Sequence, residues 1–317
     1  MTNLQTRKIQ LNNNINRKAK WQSIKERAKK NRVAYAFLAP FLLIFLLFTI
    51  LPVVISLFYS LTYYNMLEPP KWVGLDNYAR LLLSDDNFLI AVKNTFIYAL
   101  ITGPVGYIIS LLTAWLINEL SSRIRAVIVL LFYAPSISGN VYMIWKIMFS
   151  SDSYGYINSV LMDLGIVSAP VQWLQDPRYI LPIIIIVSMW MSLGTSFLAF
   201  IAGLQGIDRA LYEAGAIDGI RNRWQELWHI TLPSMKPQLM FGAVLSITNA
   251  FAVSDISLNL AGFPSVQYSA HTIVTHLMDY GNIRFEMGYA SSIATVLFIV
   301  MVASNKIVNK FLKRVGT

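Results

Sequence analysis

The sequence predicts an all-α polytopic membrane protein with six transmembrane helices, and two observations lead to this fold class. The first is composition: 56% of the 317 residues are hydrophobic and only 13% are charged, whereas a soluble domain carries about 25% charged residues. The second is a set of six apolar runs that reach the ~20 residues needed for a helix to cross a bilayer core. We therefore expect a chain that crosses the membrane six times.

The apolar runs are expected to be helices rather than barrel strands. A helix satisfies its backbone donors and acceptors within its own segment, which lipid cannot do. Runs such as ILPIIIIVSMWMSLG lack the alternation of polar and apolar residues that is typical of transmembrane strands. In chain order, the predicted spans lie at about 34–62, 89–118, 124–149, 179–205, 238–261 and 288–309.

Residues 1–32 form a basic arm ahead of the first span. The arm holds ten Lys or Arg residues and one acidic residue, Glu26. The apolar run that follows is longer than the ~7–15 residues of a signal-peptide core and has no small-residue cleavage site after it. We therefore expect a cytoplasmic arm at 1–32 and a membrane domain at 33–317 whose first helix is retained.

The distribution of positive charge predicts that both termini are cytoplasmic. With the N-terminus inside, 20 of the 26 Lys and Arg residues fall on the inner side. They comprise ten in the arm, two in the second connection, four in the fourth connection and four after the last span. Positive charge concentrates on the cytoplasmic side of membrane proteins, so this bias accounts for the net charge of +10 without nucleic acid as a partner.

The fourth connection, at about 208–233, is a charged segment in an otherwise apolar chain. It contains the sequence LYEAGAIDGIRNRWQELWHITLP. We predict one helix over 211–219, a turn at Gly219 and a second helix over 222–230. The connection would then be a two-helix elbow that faces the cytoplasm.

The second helix of this elbow carries an aromatic stripe. Trp224, Leu227 and Trp228 fall at positions i, i+3 and i+4, which share one helix face. Such a face is covered either by the bilayer surface, where tryptophans anchor at the headgroups, or by the groove of a partner protein. The pattern alone leaves both roles open.

The elbow resembles the EAA signature of ABC importer permeases at Glu213, Ala214, Gly215, Gly219, Ile230, Leu232 and Pro233. Two departures are visible. Gly215 stands where a second Ala is usual, and ten residues rather than nine separate Gly219 from Ile230. The longer interval affects the relative rotation of the two helical pieces.

Further segments resemble the carbohydrate branch of this family, the permeases for maltose and glycerol phosphate, in order and spacing. The resemblance covers about 280 residues, 35–317. The matching segments are LAPFLLIFLLFTILPVVISLFYSLTYYN (38–65), WVGLDNYARLL (72–82), YAPSISGNVYMIWKIMF (133–149), YGYIN (154–158) and WLQDP (173–177).

The resemblance implies a permease subunit of an ATP-driven importer for a sugar or oligosaccharide in the bacterial cytoplasmic membrane. ATP and Mg would be bound by partner subunits, and the chain itself lacks the Gly-x-x-x-x-Gly-Lys-Ser/Thr phosphate loop. The expected partners are a second related permease chain, two ATP-binding subunits, an extracytoplasmic solute-binding protein and the lipid bilayer. We expect no nucleic-acid partner, no cofactor in this chain and no enzymatic activity of its own.

The resemblance also implies that the elbow docks in a groove of the ATPase. Glu213 would be the polar anchor, Ala214 and Gly215 would allow close approach, and Gly219 would allow a turn that a Cβ obstructs. The residues expected to take part in this coupling are Glu213, Ala214, Gly215, Asp218, Gly219, Trp224, Ile230, Leu232 and Pro233.

The pathway for solute is expected to be lined by polar and aromatic side chains within the spans, because a sugar presents polar edges and apolar faces. Packing between helices is the alternative role of each Ser or Thr. Asp255, deep in the fifth predicted helix, either serves the pathway or reaches water at the outer end. The candidates are Asn140, Tyr142, Trp190, Ser192, Thr195, Ser246, Asn249 and Asp255.

Two other functions stay open, an ion-coupled carrier and an ABC permease for a solute other than sugar. A carrier would have charged residues in several helices, whereas only Asp255 qualifies, and no inverted repeat is visible. The sequence has no cysteine, and no carboxylates are paired at a spacing that suggests a site, so we expect no catalytic and no metal site. We expect His271 and His276 to be loop residues available to an outer partner rather than metal ligands.

Overall fold

The structure, a computed structural model, describes residues 30–139 and 141–312. Most of the predicted arm and Asn140 therefore lie outside the described residues. The chain divides into two compact units, Met1–Phe58 and Tyr59–Thr317. The described residues are predominantly helical, and their only sheet is an antiparallel pair of two-residue strands, β1 (Thr62–Tyr63) and β2 (Lys71–Trp72).

Sixteen α-helices occur in the described part of the chain, with three π-helical segments and one 3₁₀ turn among them. The π segments are Leu46–Ile50, Leu227–Thr231 and Asp279–Ile283, and the 3₁₀ turn is Val266–Tyr268. The α-helices are α1 (Arg32–Phe45), α2 (Leu51–Tyr59), α3 (Asp76–Leu83), α4 (Asp86–Asn118), α5 (Ser122–Ile137), α6 (Tyr142–Met148), α7 (Tyr156–Asp163), α8 (Pro177–Trp190), α9 (Thr195–Gln205), α10 (Arg209–Ile217), α11 (Arg223–Glu226), α12 (Leu232–Ser234), α13 (Lys236–Phe251), α14 (Asp255–Ala261), α15 (Ile273–Met278) and α16 (Met287–Leu312).

Five stretches of the described chain are long and apolar enough to cross a membrane, and a sixth is obtained only if α5 and α6 are counted as one broken span. The five are Arg32–Tyr59, Asp86–Asn118, Pro177–Gln205, Lys236–Ala261 and Met287–Leu312. This count agrees with a polytopic membrane protein that crosses the bilayer five or six times.

The uninterrupted helix predicted at 124–149 is wrong. The axes of α5 and α6 differ in direction by 81°. Pro135, which cannot donate a backbone hydrogen bond, lies in the last turn of α5. Ser138 then adopts an extended conformation and is followed by Gly139. These residues end the helix where hydropathy alone predicts that it continues.

Two of the other spans are also broken near their middle. The stretch Pro177–Gln205 is divided into α8 and α9 by the residues 191–194. The stretch Lys236–Ala261 is divided into α13 and α14 by 252–254. At each break, backbone N–H and C=O groups lose their helical hydrogen bonds. These groups then need other hydrogen-bond partners.

The second unit is built around α4, which packs against α8, α9 and α13. Small residues on its buried face, including Ala99, Gly103 and Gly106, allow this close approach. On the next layer, α13 packs against α9 and α16. A Cβ at Gly242 of α13 would lie 2.5 Å from Cζ of Phe200 in α9, so glycine is what lets these two helices meet.

The described part of the first unit presents apolar surface throughout. No residue from Arg32 to Phe58 is buried within the chain. The large exposed side chains include Phe37, Phe41 and Phe48, which are 83%, 62% and 76% exposed. This segment therefore requires lipid or another protein to cover it.

Candidate functional site

A cavity of about 400 Å³ lies in the second unit where the three helix breaks meet. Its wall takes Ser136 from the end of α5, Ser192 and Gly194 from the break between α8 and α9, and Val253 and Ser254 from the break between α13 and α14. The remaining wall includes four residues of α4 and three of α13, with others from α5, α6, α8, α9 and α14. Irregular backbone at membrane depth is tolerated where it is buried in protein or lines a water-filled space.

Small residues bring the walls of the cavity together. A Cβ at Gly106 of α4 would lie 3.0 Å from Cβ of Ser192. A Cβ at Gly194 would lie 3.6 Å from Cβ of Ser136, so the first and second breaks face each other closely. The breaks are thus neighbours in space although they are distant along the chain.

Side chains from elsewhere satisfy the backbone that the breaks leave free. Ser110 of α4 donates a hydrogen bond from Oγ to the carbonyl oxygen of Ser192, with 3.0 Å between the oxygens. Thr272 donates from Oγ1 to the carbonyl oxygen of Val253 over 2.8 Å. Both donors are buried. The breaks are therefore held by specific tertiary hydrogen bonds.

The cavity wall is polar for a site within apolar helices. Eight hydroxyl side chains, four phenols, one amide and one carboxylate line it. They are Thr102, Ser136, Ser188, Ser192, Thr195, Ser196, Ser246, Ser254, Tyr98, Tyr107, Tyr133, Tyr142, Asn249 and Asp255. Hydroxyls and amides are partners for a polar, uncharged solute, and the tyrosine rings add surfaces for its apolar faces.

The second candidate region is the elbow formed by α10, the following turn and α11. Gly219 has φ of +94°, a left-handed conformation that favours glycine. A Cβ at Gly215 would lie 2.6 Å from Cδ1 of Ile230, and Gly215 is buried. The two arms of the elbow thus pack against each other through Gly215 and Ile230, despite the ten-residue interval.

Hydrogen bonds and an aromatic contact fix the elbow further. The hydroxyl groups of Tyr212 and Thr231 lie 3.0 Å apart. The side chain of Asn222 caps α11 by accepting a hydrogen bond from the amide of Gln225 over 2.8 Å. The ring of Trp224 packs against Trp115 of α4 with centroids 5.2 Å apart. The elbow is therefore tied directly to the helix that lines the cavity.

Residues 27–315 match the family described as "Binding-protein-dependent transport system inner membrane component". The chain belongs to this family. It is a transport permease, a membrane subunit of ABC transporters rather than a catalytic enzyme.

Relatives of the permease support the same assignment. It is 34% identical over 282 residues to the probable ABC transporter permease protein YesP of Bacillus subtilis, covering 86% of this chain and 88% of the relative. It is 31% identical to the arabinooligosaccharides permease AraP of Bacillus subtilis, covering 86% of each chain. It is also 31% identical to the trehalose/maltose permease MalF of Thermococcus litoralis, covering 92% and 95%.

A solved structure shares the fold of the permease. The chain is 25% identical to part of a bacterial ABC transporter involved in the import of the acidic polysaccharide alginate. The TM-score is 0.74, and the match covers 93% of this chain and 99% of that chain. A second structure, of a bacterial alginate transporter in complex with a pentasaccharide-bound periplasmic protein, matches with a TM-score of 0.72 and 25% identity, over 91% and 98% of the two chains.

Most of the pathway residues predicted from sequence come together in the cavity wall. Asn140 lies outside the described residues. Trp190 does not line the cavity: its ring packs edge-on against Trp145 of α6, with centroids 5.3 Å apart, and this contact directs it away from the wall. The six predicted residues in the wall are Tyr142, Ser192, Thr195, Ser246, Asn249 and Asp255.

Asp255 differs from its predicted setting within a continuous helix. It is the first residue of α14, just after the break, and its side chain is exposed. Ser254 donates a hydrogen bond to its Oδ1 over 3.2 Å. The carboxylate therefore stands at a chain break beside an open cavity, where water reaches it.

Sequence reasoning missed eight of the fourteen polar side chains of the wall, although a signal existed. Tyr98, Thr102 and Gly106 recur at intervals of four on α4, and all three line the cavity. Ser188, Ser192 and Ser196 recur at the same interval across the second break. A spacing of four places residues on one helix face, so polar and small residues in this pattern indicate a shared polar surface.

In the elbow, most residues predicted to couple to a partner are exposed. Glu213, Ala214, Asp218 and Gly219 are exposed on and after α10, and Trp224 is exposed on α11. Three others are buried and form the inner support of the elbow, namely Gly215, Ile230 and Leu232, while Pro233 is half-buried.

The aromatic stripe predicted on the second arm of the elbow is not a single exposed face. Leu227 is buried in a core cluster, whereas Trp228 is 64% exposed. The helix also changes here from α to π geometry, over Leu227–Thr231.

The predicted availability of His271 and His276 to an outer partner is wrong, and His276 lies on α15 rather than in a loop. Both imidazoles are buried, and Nε2 of His271 lies 3.0 Å from Nδ1 of His276. His276 Nε2 lies 3.0 Å from Oδ2 of Asp85, which also accepts a hydrogen bond from the Tyr289 hydroxyl over 2.7 Å. No group of three or more His, Cys, Asp or Glu residues suited to a metal ion occurs in the described chain.

This buried network has an electrostatic signature. Burial is the largest cause of a pKa of about 4 for His271, and the charge of the neighbouring His276 contributes in the same direction. Burial also lowers the pKa of His276. Burial acts to raise the pKa of Asp85, but hydrogen bonds from Tyr289 and the Phe88 amide outweigh it and lower that pKa. The stable arrangement is thus two neutral imidazoles beside one carboxylate.

Proposed function

We propose that this permease forms one half of the pathway by which an ATP-driven importer moves a sugar or oligosaccharide across the bacterial cytoplasmic membrane. The observation that carries the proposal is the meeting of three helix breaks at one hydroxyl-rich cavity. Broken helices at membrane depth are typical of sites where transporters bind their solutes. Family membership makes such a site part of a binding-protein-dependent system.

The sugar class rests on the wall chemistry and on the relatives together. The permeases of arabinooligosaccharides, lactose and trehalose/maltose are each about 30% identical over at least 85% of this chain. The hydroxyls, the amide of Asn249 and the tyrosine rings match the polar edges and apolar faces of a saccharide.

A second, related permease chain completes the pathway in this proposal. The cavity is only partly enclosed by this chain, so another chain is needed to surround a solute. Arg32–Phe58 has no buried residue and requires a cover. Two ATP-binding subunits, which bind ATP and Mg, and a solute-binding protein on the extracytoplasmic side make up the rest of the importer.

The elbow is the contact for the ATP-binding subunit, and it faces the cytoplasm together with both termini. Positive charge supports this orientation: Arg209, Arg221 and Arg223 lie in the elbow and Lys306 and Lys310 in the last turns of α16. A movement of the docked subunit displaces the elbow. Because the ring of Trp224 packs on α4, which lines the cavity, this displacement is transmitted to the cavity wall. Glu213, exposed on α10, is the polar anchor of the contact.

Co-purification and transport test the coupling role. We expect Glu213→Lys to reduce transport at least tenfold and to weaken retention of the ATP-binding subunit, while membrane insertion stays normal. The matched control is Asp163→Lys, which reverses an exposed acidic charge at the end of α7. Wild-type transport by Glu213→Lys would exclude the elbow as the docking contact.

The cavity is tested separately through Asn249. Asn249→Ala removes an amide from the wall, so we expect a severalfold lower sugar flux in proteoliposomes with unchanged assembly of the complex. Thr248→Ala is the control, because Thr248 lies next to it and donates to Val244 of its own helix. Equal flux from Asn249→Ala and Thr248→Ala would show that Asn249 packs between helices and does not contact the solute.

A further inference from the structure

The charge of the cavity wall is negative and uncompensated. Among the described residues that line it, Asp255 is the one carboxylate, and none is Lys, Arg or His. Its side chain is exposed to the open space and accepts a hydrogen bond from the neutral Ser254. No cation of this wall therefore offsets the carboxylate.

Several hydroxyl groups of the wall donate their protons to main-chain carbonyl oxygens rather than to the cavity. Thr102 donates to the carbonyl oxygen of Tyr98 over 2.8 Å, and Ser188 donates to that of Ile184 over 2.6 Å. Because a hydroxyl has one proton and two lone pairs, a hydroxyl that donates to the main chain offers only acceptor positions to the cavity.

The same holds on the other sides of the cavity. Ser136 donates to the carbonyl oxygen of Tyr133 over 2.8 Å, and Ser196 donates to that of Gly242 over 3.3 Å. The phenol of Tyr107 donates to the carbonyl oxygen of Leu239 over 3.1 Å. These five groups therefore offer acceptor positions to the cavity, and Asp255 adds the one charged acceptor among the described wall residues.

From this inventory we infer that the cavity selects uncharged saccharides and rejects those that carry carboxylates, with Asp255 as the residue that determines the selection. A neutral sugar hydroxyl donates to an acceptor on the wall. A uronate carboxylate only accepts hydrogen bonds, so it meets acceptors and a like charge. The inference rests on the proposed function, because it concerns the solute of the same cavity.

This selectivity would set the permease apart from its structural neighbour, which takes part in the import of the acidic polysaccharide alginate. The fold is shared at a TM-score of 0.74. The difference would therefore arise from wall side chains rather than from architecture, and a single charge at position 255 is the simplest place to test it.

The experiment measures binding to the assembled permease–ATPase complex without the solute-binding protein, so that the selectivity of that protein does not contribute. Saturation-transfer NMR suits weak ligands. The probes are neutral trisaccharides (galactotriose, maltotriose and xylotriose) and acidic trimers (trigalacturonate and triglucuronate). We expect the wild-type complex to prefer the best neutral probe over the acidic ones by about tenfold or more.

Substitutions at Asp255 make the test specific. Asp255→Asn should reduce the preference severalfold, Asp255→Lys should reverse it, and Asp255→Glu should retain it. Asp163→Asn, which removes a carboxylate away from the wall, should leave the preference at its wild-type value. Purification of the intact complex for each variant controls for folding.

The possible failures are distinguishable. If acidic trimers bind the wild-type complex as well as neutral ones, or if Asp255→Asn and Asp255→Lys leave the ratio unchanged, the inferred selectivity is wrong while the sugar function stands. If no saccharide of either class binds any variant, the proposed sugar function itself is wrong, and the inference falls with it.

Discussion

The imidazoles of His271 and His276 form a buried pair, with Nε2 of the first 3.0 Å from Nδ1 of the second. The pair ends at Asp85, a residue 191 positions away from His276 along the chain. It therefore joins the start of α4 to the loop between α14 and α16. Protonation of either imidazole would place positive charge in a site that favours the neutral form.

This pair predicts a loss of stability at acid pH. The pKa of His271 is about 4 in the folded chain, below the ~6.5 of an exposed histidine. The unfolded chain thus binds more protons between these values, and stability falls as the pH decreases from about 6.5 to about 4. The contribution of His271 is on the order of 3 kcal/mol.

Thermal unfolding in detergent over this pH range measures the effect. We expect His271→Gln to flatten the dependence of the unfolding midpoint on pH, because the titrating group is removed. Asp85 acts in a different window: its pKa is lowered, so its contribution is lost only below the ordinary carboxylate range. A wild-type midpoint that does not change between pH 6.5 and 4 would contradict the prediction.

Asn158 is predicted to hold the segment between α6 and α8. It is fully buried, and its Oδ1 accepts hydrogen bonds from the Val171 amide over 3.0 Å and from Trp173 Nε1 over 2.8 Å. Its Nδ2 lies 3.0 Å from the carbonyl oxygens of Ser150 and Val171. Asn158→Leu keeps the volume but leaves these groups without a partner, which should cost about 3 kcal/mol or more.

The unfolding midpoint of Asn158→Leu should accordingly fall by about 5 °C or more. Val160→Ala is the control, since Val160 lies on the same short helix and is 55% exposed. Similar midpoints for the two variants would show that the Asn158 contacts do not stabilise the segment.

Gly219 is predicted to be required for the turn of the elbow. At φ of +94° a side chain is strained whatever space surrounds it, and the surroundings of Gly219 are open. Gly219→Val should therefore cost about 1–2 kcal/mol through backbone strain alone. Protease cleavage within the elbow, compared with that of the exposed-site control Ala216→Val on α10, measures the local loosening. Equal cleavage of both variants would contradict the prediction.

Ser110 is predicted to hold the second helix break in place. Ser110→Ala removes the donor to the Ser192 carbonyl oxygen, which should cost about 1–2 kcal/mol and lower solute flux. Thr248→Ala is again the matched control, because its hydroxyl donates to Val244 within an unbroken helix. Unfolding midpoints and flux are both measured, and wild-type values for Ser110→Ala would show that the break is held by other contacts.

The apolar spans and the arms of the elbow could be predicted because their signals are local. A hydropathy prediction needs only a run of consecutive apolar residues. A turn is indicated by the glycine at its own position, Gly219. The break in the third span also left local signals, Pro135 and Gly139. In the hydropathy prediction, the apolar residues around Pro135 and Gly139 outweighed these two signals of a helix end.

The break between α13 and α14 could not be predicted in this way. Its residues, Ala252 to Ser254, include neither proline nor glycine. The Val253 carbonyl oxygen instead accepts a hydrogen bond from Thr272, a residue 19 positions further along the chain. The His271–His276 pair depends on an even more distant partner, Asp85. Such contacts depend on tertiary packing, which a single sequence does not display.

The meeting of three breaks at one cavity also bears on mechanics. A helix is stiff along its hydrogen-bonded length, so bending is easiest where that bonding is interrupted. The break after α5 and the breaks at 191–194 and 252–254 lie around the same space. The helical segments on either side of the cavity can thus rotate as rigid bodies about neighbouring hinges. The cavity can then change shape without the unwinding of any helix.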